Sequence, residues 1–495
     1  MVVGRPAPCN EAVVSELVRP SVEDPLVAAA SECIGGPVGD HAAPHRWWTP
    51  VRVVLAVTCL ALCLGMVSKS PCVQENWGGG NERYAQMCYS DVPYLYVGRG
   101  FAERDVPYTD TGGRYQAMEY PVVIGYFAYG AALLTQALDG WPDLGPRQAA
   151  PADRVYAAPG VNREMGLYFD VTAVLLALFG LAAAWFLAGA HRRRPWDAML
   201  FAAAPVLVLA WLINWDLIAV AASAGAMWAW SRRRPALAGV LVGLGVATKL
   251  YPLFLLGALL VVCLRRRQLR PFLVATGSAV AAWLVVNAPA MLYGFDQWKQ
   301  FWVLNEQRGA DLGSLWLVWQ QMGHTVDVGT INTTSSVFFA AVCLSVLGLG
   351  LYARRTPRIP QLALLVLVGF LVVNKVYSPQ YVLWLLPFAV LARPRWRDIL
   401  IWQAGEVFYF ASVWLYLGNF TASSASGAPD TVYWLAILVR VAAELYLAAV
   451  VIRDVLVPWH DPVRKDGLTD DPLHPWPEDG VGLGYASAHH GSPVR

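Results

Sequence analysis

Two polar tips interrupt long apolar runs: Lys249 and Tyr251 in "TKLYP", and Lys375 and Tyr377 in "NKVYSPQY", each tyrosine followed closely by proline. An ionisable group costs roughly 2.5–3.5 kcal/mol at the centre of a spanning helix, so both lysines need a reason. Two readings stay open. Each ammonium group can snorkel to the headgroups, or the pair can hold an anionic phosphate with Tyr251 and Tyr377 as hydrogen-bond donors. A third polar stretch, "CYSDVPYLYVGRGFAERDVPYTD" at 88–110, is thick with Tyr, Asp and Arg. Within it, Asp91 precedes Val92-Pro93 and reads either as a helix cap or as a reactive carboxylate. Tyr94, Arg99 and Glu119 on the same loop, Asn214 and Asp216 in "INWDL", and Arg308, His324 and Gln380 are the remaining candidates for sugar or acceptor contacts. For Asp216 a structural pairing with Asn214 is the simpler reading, and for His324 an ordinary loop position.

The elements that position these residues belong to a membrane protein. Of the 495 residues, 57% are hydrophobic and 15% charged, well below the quarter typical of soluble domains. The basic runs "HRRR" (191–194), "SRRR" (231–234) and "RRR" (265–267) each abut an apolar segment, which makes them cytoplasmic anchors and argues against nucleic-acid binding. Apolar segments at 51–68, 165–190, 196–212, 214–230, 271–291, 332–352, 398–417 and 432–452 read as spans. The runs 236–264 and 361–392 are flanked by arginine at both ends and read as helical hairpins, with the two K-x-Y tips near the far face and proline breaking each pair of helices. Parity makes 121–138 interfacial or re-entrant. The expectation is an all-α polytopic protein of about twelve transmembrane helices over 51–452, with 69–164 as a long extracytoplasmic first loop. Residues 1–50 and 453–495 are expected to be disordered cytoplasmic tails.

The cysteines form no CxxC or metal-spaced cluster. Cys59, Cys63, Cys263 and Cys343 read as small hydrophobes. Cys72 and Cys88 share the first loop; in an extracytoplasmic loop they are either a disulfide or two free thiols.

A carboxylate beside aromatic rings and facing two lysines suits transfer of a sugar from a lipid phosphate. The leaving phosphate is a weak base and needs cations, whereas the acceptor hydroxyl is a poor nucleophile and needs a base. In order, "YSDVPYLY", "MEYPV", "INWDLIAVA", "RRRPALAGVLVGLGVATKLYPL" and "NKVYSPQYVLWLLPF" resemble glycosyltransferase family 87, the actinobacterial polyprenyl-phosphate-mannose-dependent mannosyltransferases. The likeness runs from about 51 to 452. It implies a GT-C fold, a polyprenyl-phosphate sugar donor used on the outer face of the plasma membrane, no nucleotide sugar, and Asp91 as general base toward the acceptor hydroxyl. Ser90 precedes Asp91 and no D-x-D is present, so no metal and no cofactor are expected. The expected function is transfer of a hexose, mannose by resemblance, to a lipid-linked or cell-envelope glycan acceptor, with membrane lipid and no nucleic acid as the other partner. The alternative is a polytopic transporter or lipid flippase using Asp216 and the lysines as a relay.

Overall fold

The computed structural model describes residues 17–33, 46–78, 80–109, 113–420, 430–465, 471 and 473–476, which form helices and no strand. In chain order, α1 (Pro50–Val67) is followed by α2 (Asp91–Gly98), α3 (Val122–Leu138) and the long α4 (Val161–Ala190). Then come three short helices, α5 (Leu217–Ser231), α6 (Pro235–Val246) and α7 (Leu253–Arg265), and two long ones, α8 (Leu269–Tyr293) and α9 (Val328–Tyr352). A second short pair, α10 (Ile359–Val373) and α11 (Val382–Ala392), precedes α12 (Trp396–Leu417) and α13 (Thr431–Leu456). Among the described residues, α1, α4, α8, α9, α12 and α13 are the 6 helices long and apolar enough to cross a membrane. The count of twelve is therefore reached only by adding shorter apolar helices, whose crossing is not established by their length.

The two hairpins are present. At about 1.5 Å per residue, the 12 residues of α6 rise about 18 Å and the 13 of α7 about 20 Å, short of the roughly 30 Å hydrocarbon layer. Pro252 starts the return helix of the first hairpin, and Pro379 opens the short turn before α11 in the second. Helix α6 lies against α8 so closely that a Cβ on Gly239 would sit 2.0 Å from the Ala275 carbonyl oxygen, and one on Gly243 2.2 Å from that of Ala279. Two glycines four apart let the backbones meet where a side chain would hold them away.

Two expectations fail. The run 196–212 is not one span but a chain of short turns, Pro195–Ala198, Met199–Ala202 and Pro205–Ala210. Pro205 offers no N–H, and Ala204 before it is extended (φ −69°, ψ 120°), so the helix cannot continue. The described parts of the tails are also ordered. Pro25–Cys33 is helical; Asp24 accepts from the Trp396 N–H at 3.0 Å and Glu23 pairs with Arg194 at 3.2 Å. Beyond α13, buried Asp461 receives Arg358 at 2.7 and 2.9 Å, while Arg393 joins Asp398 and Asp454 at 2.8 Å each. Those carboxylates neutralise arginines at the helix ends and could not be left in water without stranding buried cations. Residues 1–16, 34–45 and 477–495 lie outside the described residues.

The first loop is built on its own ionic core. Glu164 takes a bidentate bond from Arg147 (2.7 and 3.0 Å) and the Tyr96 hydroxyl (2.5 Å), all buried. Cys72 and Cys88 are joined in a disulfide, with Cα atoms 5.7 Å apart.

Candidate active site

The site starts from a cap. Ser90 is the N-cap of α2: its hydroxyl accepts from the Val92 N–H at 3.3 Å and reaches the Ile213 carbonyl at 3.4 Å. The Asp91 N–H donates to the same Ile213 carbonyl at 2.8 Å. Asp91 is thus the first residue of the helix and not its cap, and its carboxylate is available for other work. It accepts the Tyr89 hydroxyl on one oxygen and the Tyr120 hydroxyl on the other, both at 2.9 Å. Each carboxylate oxygen keeps a lone pair for a further donor.

Tyr120 bridges to the first hairpin tip. The Lys249 ammonium lies 4.6 Å from the centre of the Tyr120 ring and 3.2 Å from an oxygen of Asp216. Asp216 is buried; its second oxygen accepts the Trp384 indole N–H at 2.8 Å, and its backbone N–H donates to the Asn214 side chain at 3.0 Å. Trp384 is stacked between Tyr381 (3.8 Å) and Tyr251 (4.9 Å). The charges of Asp216, Arg308, Asp311 and Asp91 all act on the Tyr381 phenol, so the outer loop around 308–311 borders the same space. Burial holds the Asp91 carboxyl above the usual carboxylate range, opposed by the Tyr120 and Tyr89 hydrogen bonds and by Lys249, and reinforced by Glu119. Behind Tyr89, the buried Lys69 ammonium donates to the Tyr89 carbonyl at 3.0 Å; burial pulls it down to about 7 against the attraction of Asp91.

The remaining candidates divide. Arg99 pairs with Glu119 at 3.2 Å on the rim, and Arg308 faces Asp311 at 3.6 Å. Tyr94 stacks on Tyr89 (5.6 Å) beneath the Arg83 guanidinium (5.1 Å), forming an aromatic wall with Trp414. Gln380 is buried, and its side-chain carbonyl has no partner among the described residues, as is true of the Asn214 amide nitrogen and the Trp215 indole nitrogen. Buried polar atoms are rarely left so, and Asn214 and Trp215 adjoin Asp216 in the chain.

Three residues are corrected. The two hairpin lysines take different partners: the Lys375 ammonium donates to the Asn332 side chain at 2.5 Å and the Glu306 carbonyl at 3.3 Å, on the α9 side. Tyr377 points into the bundle, its hydroxyl on buried Glu406 (2.9 Å) and its ring under Arg440 (3.6 Å), so it is withdrawn as a phosphate donor. Exposed His324 stacks on Trp319 at 4.0 Å, and none of its contacts reach the Asp91 cluster. Tyr251 is fully buried below Trp384 and supports the tip from beneath. Sequence reasoning missed Tyr89, Tyr120 and Trp384, although all three lie inside motifs it had picked out. Among the described residues, no three His, Cys, Asp or Glu side chains gather as metal ligands.

Long apolar helices carrying a buried cluster of charged and aromatic side chains define a polytopic membrane protein. The sequence model of glycosyltransferase family 87 matches residues 165–379, from within α4 to the second tip. Over that stretch the chain is similar to the membrane glycosyltransferases of that family. The matched stretch holds Asn214, Asp216, Lys249, Arg308 and Lys375, whereas Asp91 and the first loop precede it. No curated protein matches the chain.

Proposed function

We propose that the protein transfers a hexose, mannose by its family resemblance, from a polyprenyl phosphate to a hydroxyl of a lipid-linked or cell-envelope glycan on the outer face of the membrane. One observation carries this reading: Asp91, relieved of capping by Ser90, is held by two phenols and faces Lys249 across Tyr120. The acceptor hydroxyl hydrogen-bonds to Asp91. As its oxygen bonds to the anomeric carbon, the proton passes to the carboxylate, and the bond from that carbon to the phosphate oxygen breaks with its electron pair on the phosphate. A single displacement inverts the anomeric centre.

Burial raises the affinity of the Asp91 carboxylate for a proton, which makes it a stronger base than a solvated carboxylate. Lys249 is the first cation for the departing phosphate and Arg308 the second, the latter in place of Lys375. The disulfide in the first loop supports an oxidising, extracytoplasmic side for this face. Purified protein incubated with radiolabelled polyprenyl-phosphate-mannose and a membrane lipid extract tests the proposal. Wild type yields labelled glycolipid, and Asp91→Asn, with normal expression and melting, yields none. Full activity in that variant rejects the base, and donor movement without transfer by the wild type rejects the enzyme in favour of a flippase.

A further inference from the structure

Helix α6 also measures the distance to a second polar place. Lys249 follows its last turn and Arg234 immediately precedes its first, so about 18 Å of helix separates the Asp91 site from the opposite end of the bundle. There, Arg192, Arg232, Arg233 and Arg234 converge on an open cavity of about 700 Å³. Among the described residues no carboxylate lines it. This sets it apart from the other arginines at these helix ends, where Arg194, Arg358 and Arg393 are each matched by buried aspartate.

Two of the four guanidinium groups are fixed by carbonyls. Arg232 donates to Gly189 at 2.6 Å, and Arg233 grips the Pro475 carbonyl at 2.7 and 3.1 Å, tying the C-terminal segment to the rim. A guanidinium carries five N–H donors, so each keeps several free. Arg192 and Arg234 are exposed, and their guanidinium groups make no hydrogen bond to a described residue. Both lie close enough to Arg232 for their charges to press on it, in addition to its burial. Like charges gathered without a counter-ion repel one another, and an anion between them removes that repulsion.

The opposite wall is Trp185 and Trp228, with ring centres 5.3 Å apart and the Arg232 guanidinium 5.8 Å from Trp228. Both rings sit near the last turns of apolar helices, the level at which tryptophan meets lipid headgroups. Arginine forks match phosphate oxygens in pairs, and the indoles suit the glycerol and first methylenes of a chain. We propose that this cavity binds a phosphate group, carried by an anionic lipid or by a soluble phosphate compound.

The test uses full-length protein in neutral detergent, titrated with dioleoylphosphatidylglycerol, with dioleoylphosphatidylcholine as the neutral control, and read by native mass spectrometry. Near an anionic surface each arginine is worth about fivefold, so Arg192→Gln with Arg234→Gln should weaken phosphatidylglycerol retention roughly thirtyfold and leave phosphatidylcholine unchanged. Neither side chain holds the fold, so the unliganded variant should melt with the wild type. Should it melt lower, the single substitutions repeat the measurement at about fivefold each. Phosphatidylglycerol that millimolar inorganic phosphate does not displace assigns a lipid source. Stabilisation of the wild type by inorganic phosphate alone, lost in the variant, assigns a soluble one. Equal retention of phosphatidylglycerol and equal response to phosphate in wild type and variants overturns the site.

Discussion

Lys249 has a structural partner and a proposed substrate partner, and the two can be separated. Its ammonium is 12% exposed and lies 3.2 Å from Asp216, which is 1% exposed. Removing one member of a buried pair leaves the other uncompensated and costs about 3–5 kcal/mol. Here the lower end is expected, because Asp216 keeps the Trp384 indole at 2.8 Å and its link to Asn214. Lys249→Met should therefore lose about 3 kcal/mol of stability together with donor binding. Adding Asp216→Asn removes the stranded charge and retains an acceptor for Trp384. The double variant should recover most of that stability, by thermal denaturation in detergent followed by fluorescence-detected size exclusion. It should not recover transfer of radiolabelled mannose, because the first of the two cations proposed for the leaving phosphate is gone and Arg308 alone remains. If activity returns in step with melting temperature, Lys249 serves only to neutralise Asp216, and the phosphate assignment is refuted.

Three further outcomes are expected. Tyr120→Phe removes a hydrogen bond that favours ionised Asp91, so the carboxyl rises further; kcat/KM should then fall at a higher pH on acidification than in wild type, and an unmoved acid limb would contradict the base. At a pH alkaline enough to ionise Asp91 in both proteins, rates should be nearly equal in that variant and wild type. Cys72→Ser with Cys88→Ser, or added dithiothreitol, should cost about 3 kcal/mol for a loop closed over a separation of 16 residues, read as a lower melting temperature. Gly243→Val forces side-chain atoms against the Ala279 carbonyl and should give little monodisperse protein, a loss of at least about 3 kcal/mol, whereas Gly257→Ala, with open space around it, should behave as wild type.

Residue types carried much of this architecture, because a charge inside an apolar chain announces itself. Asp91, Asp216 and Lys249 were recognisable as needing partners, and the structure brings them around Tyr120 and Trp384. Direction was harder. Tyr251 and Tyr377 occupy equivalent places in similar motifs, yet one stacks on Trp384 and the other turns to Glu406 and Arg440. A side chain at a helix break points where the local dihedrals send it, and a two-residue motif does not set those. The same holds for Lys375, whose place beside Asn332 depends on how α9 meets the second tip. The break at Pro205 was available in the sequence and was outweighed by the apolar run around it. Asp461 was invisible for another reason: it completes Arg358, a hundred residues away in the chain, and polarity alone suggested a solvated tail.

The bond from the Asp91 amide to Ile213 ties the start of α2 to the turn that bears Asp216, and so to Lys249. Asp91, Asp216 and Lys249 accordingly ride on one body. The 308–314 loop is fastened separately, to the second tip, by the Asp311 N–H on the Lys375 carbonyl and the Tyr377 N–H on the Leu312 carbonyl. Loss of that second pair of bonds would leave the first anchorage, from Asp91 through Ile213 to Asp216 and Lys249, intact.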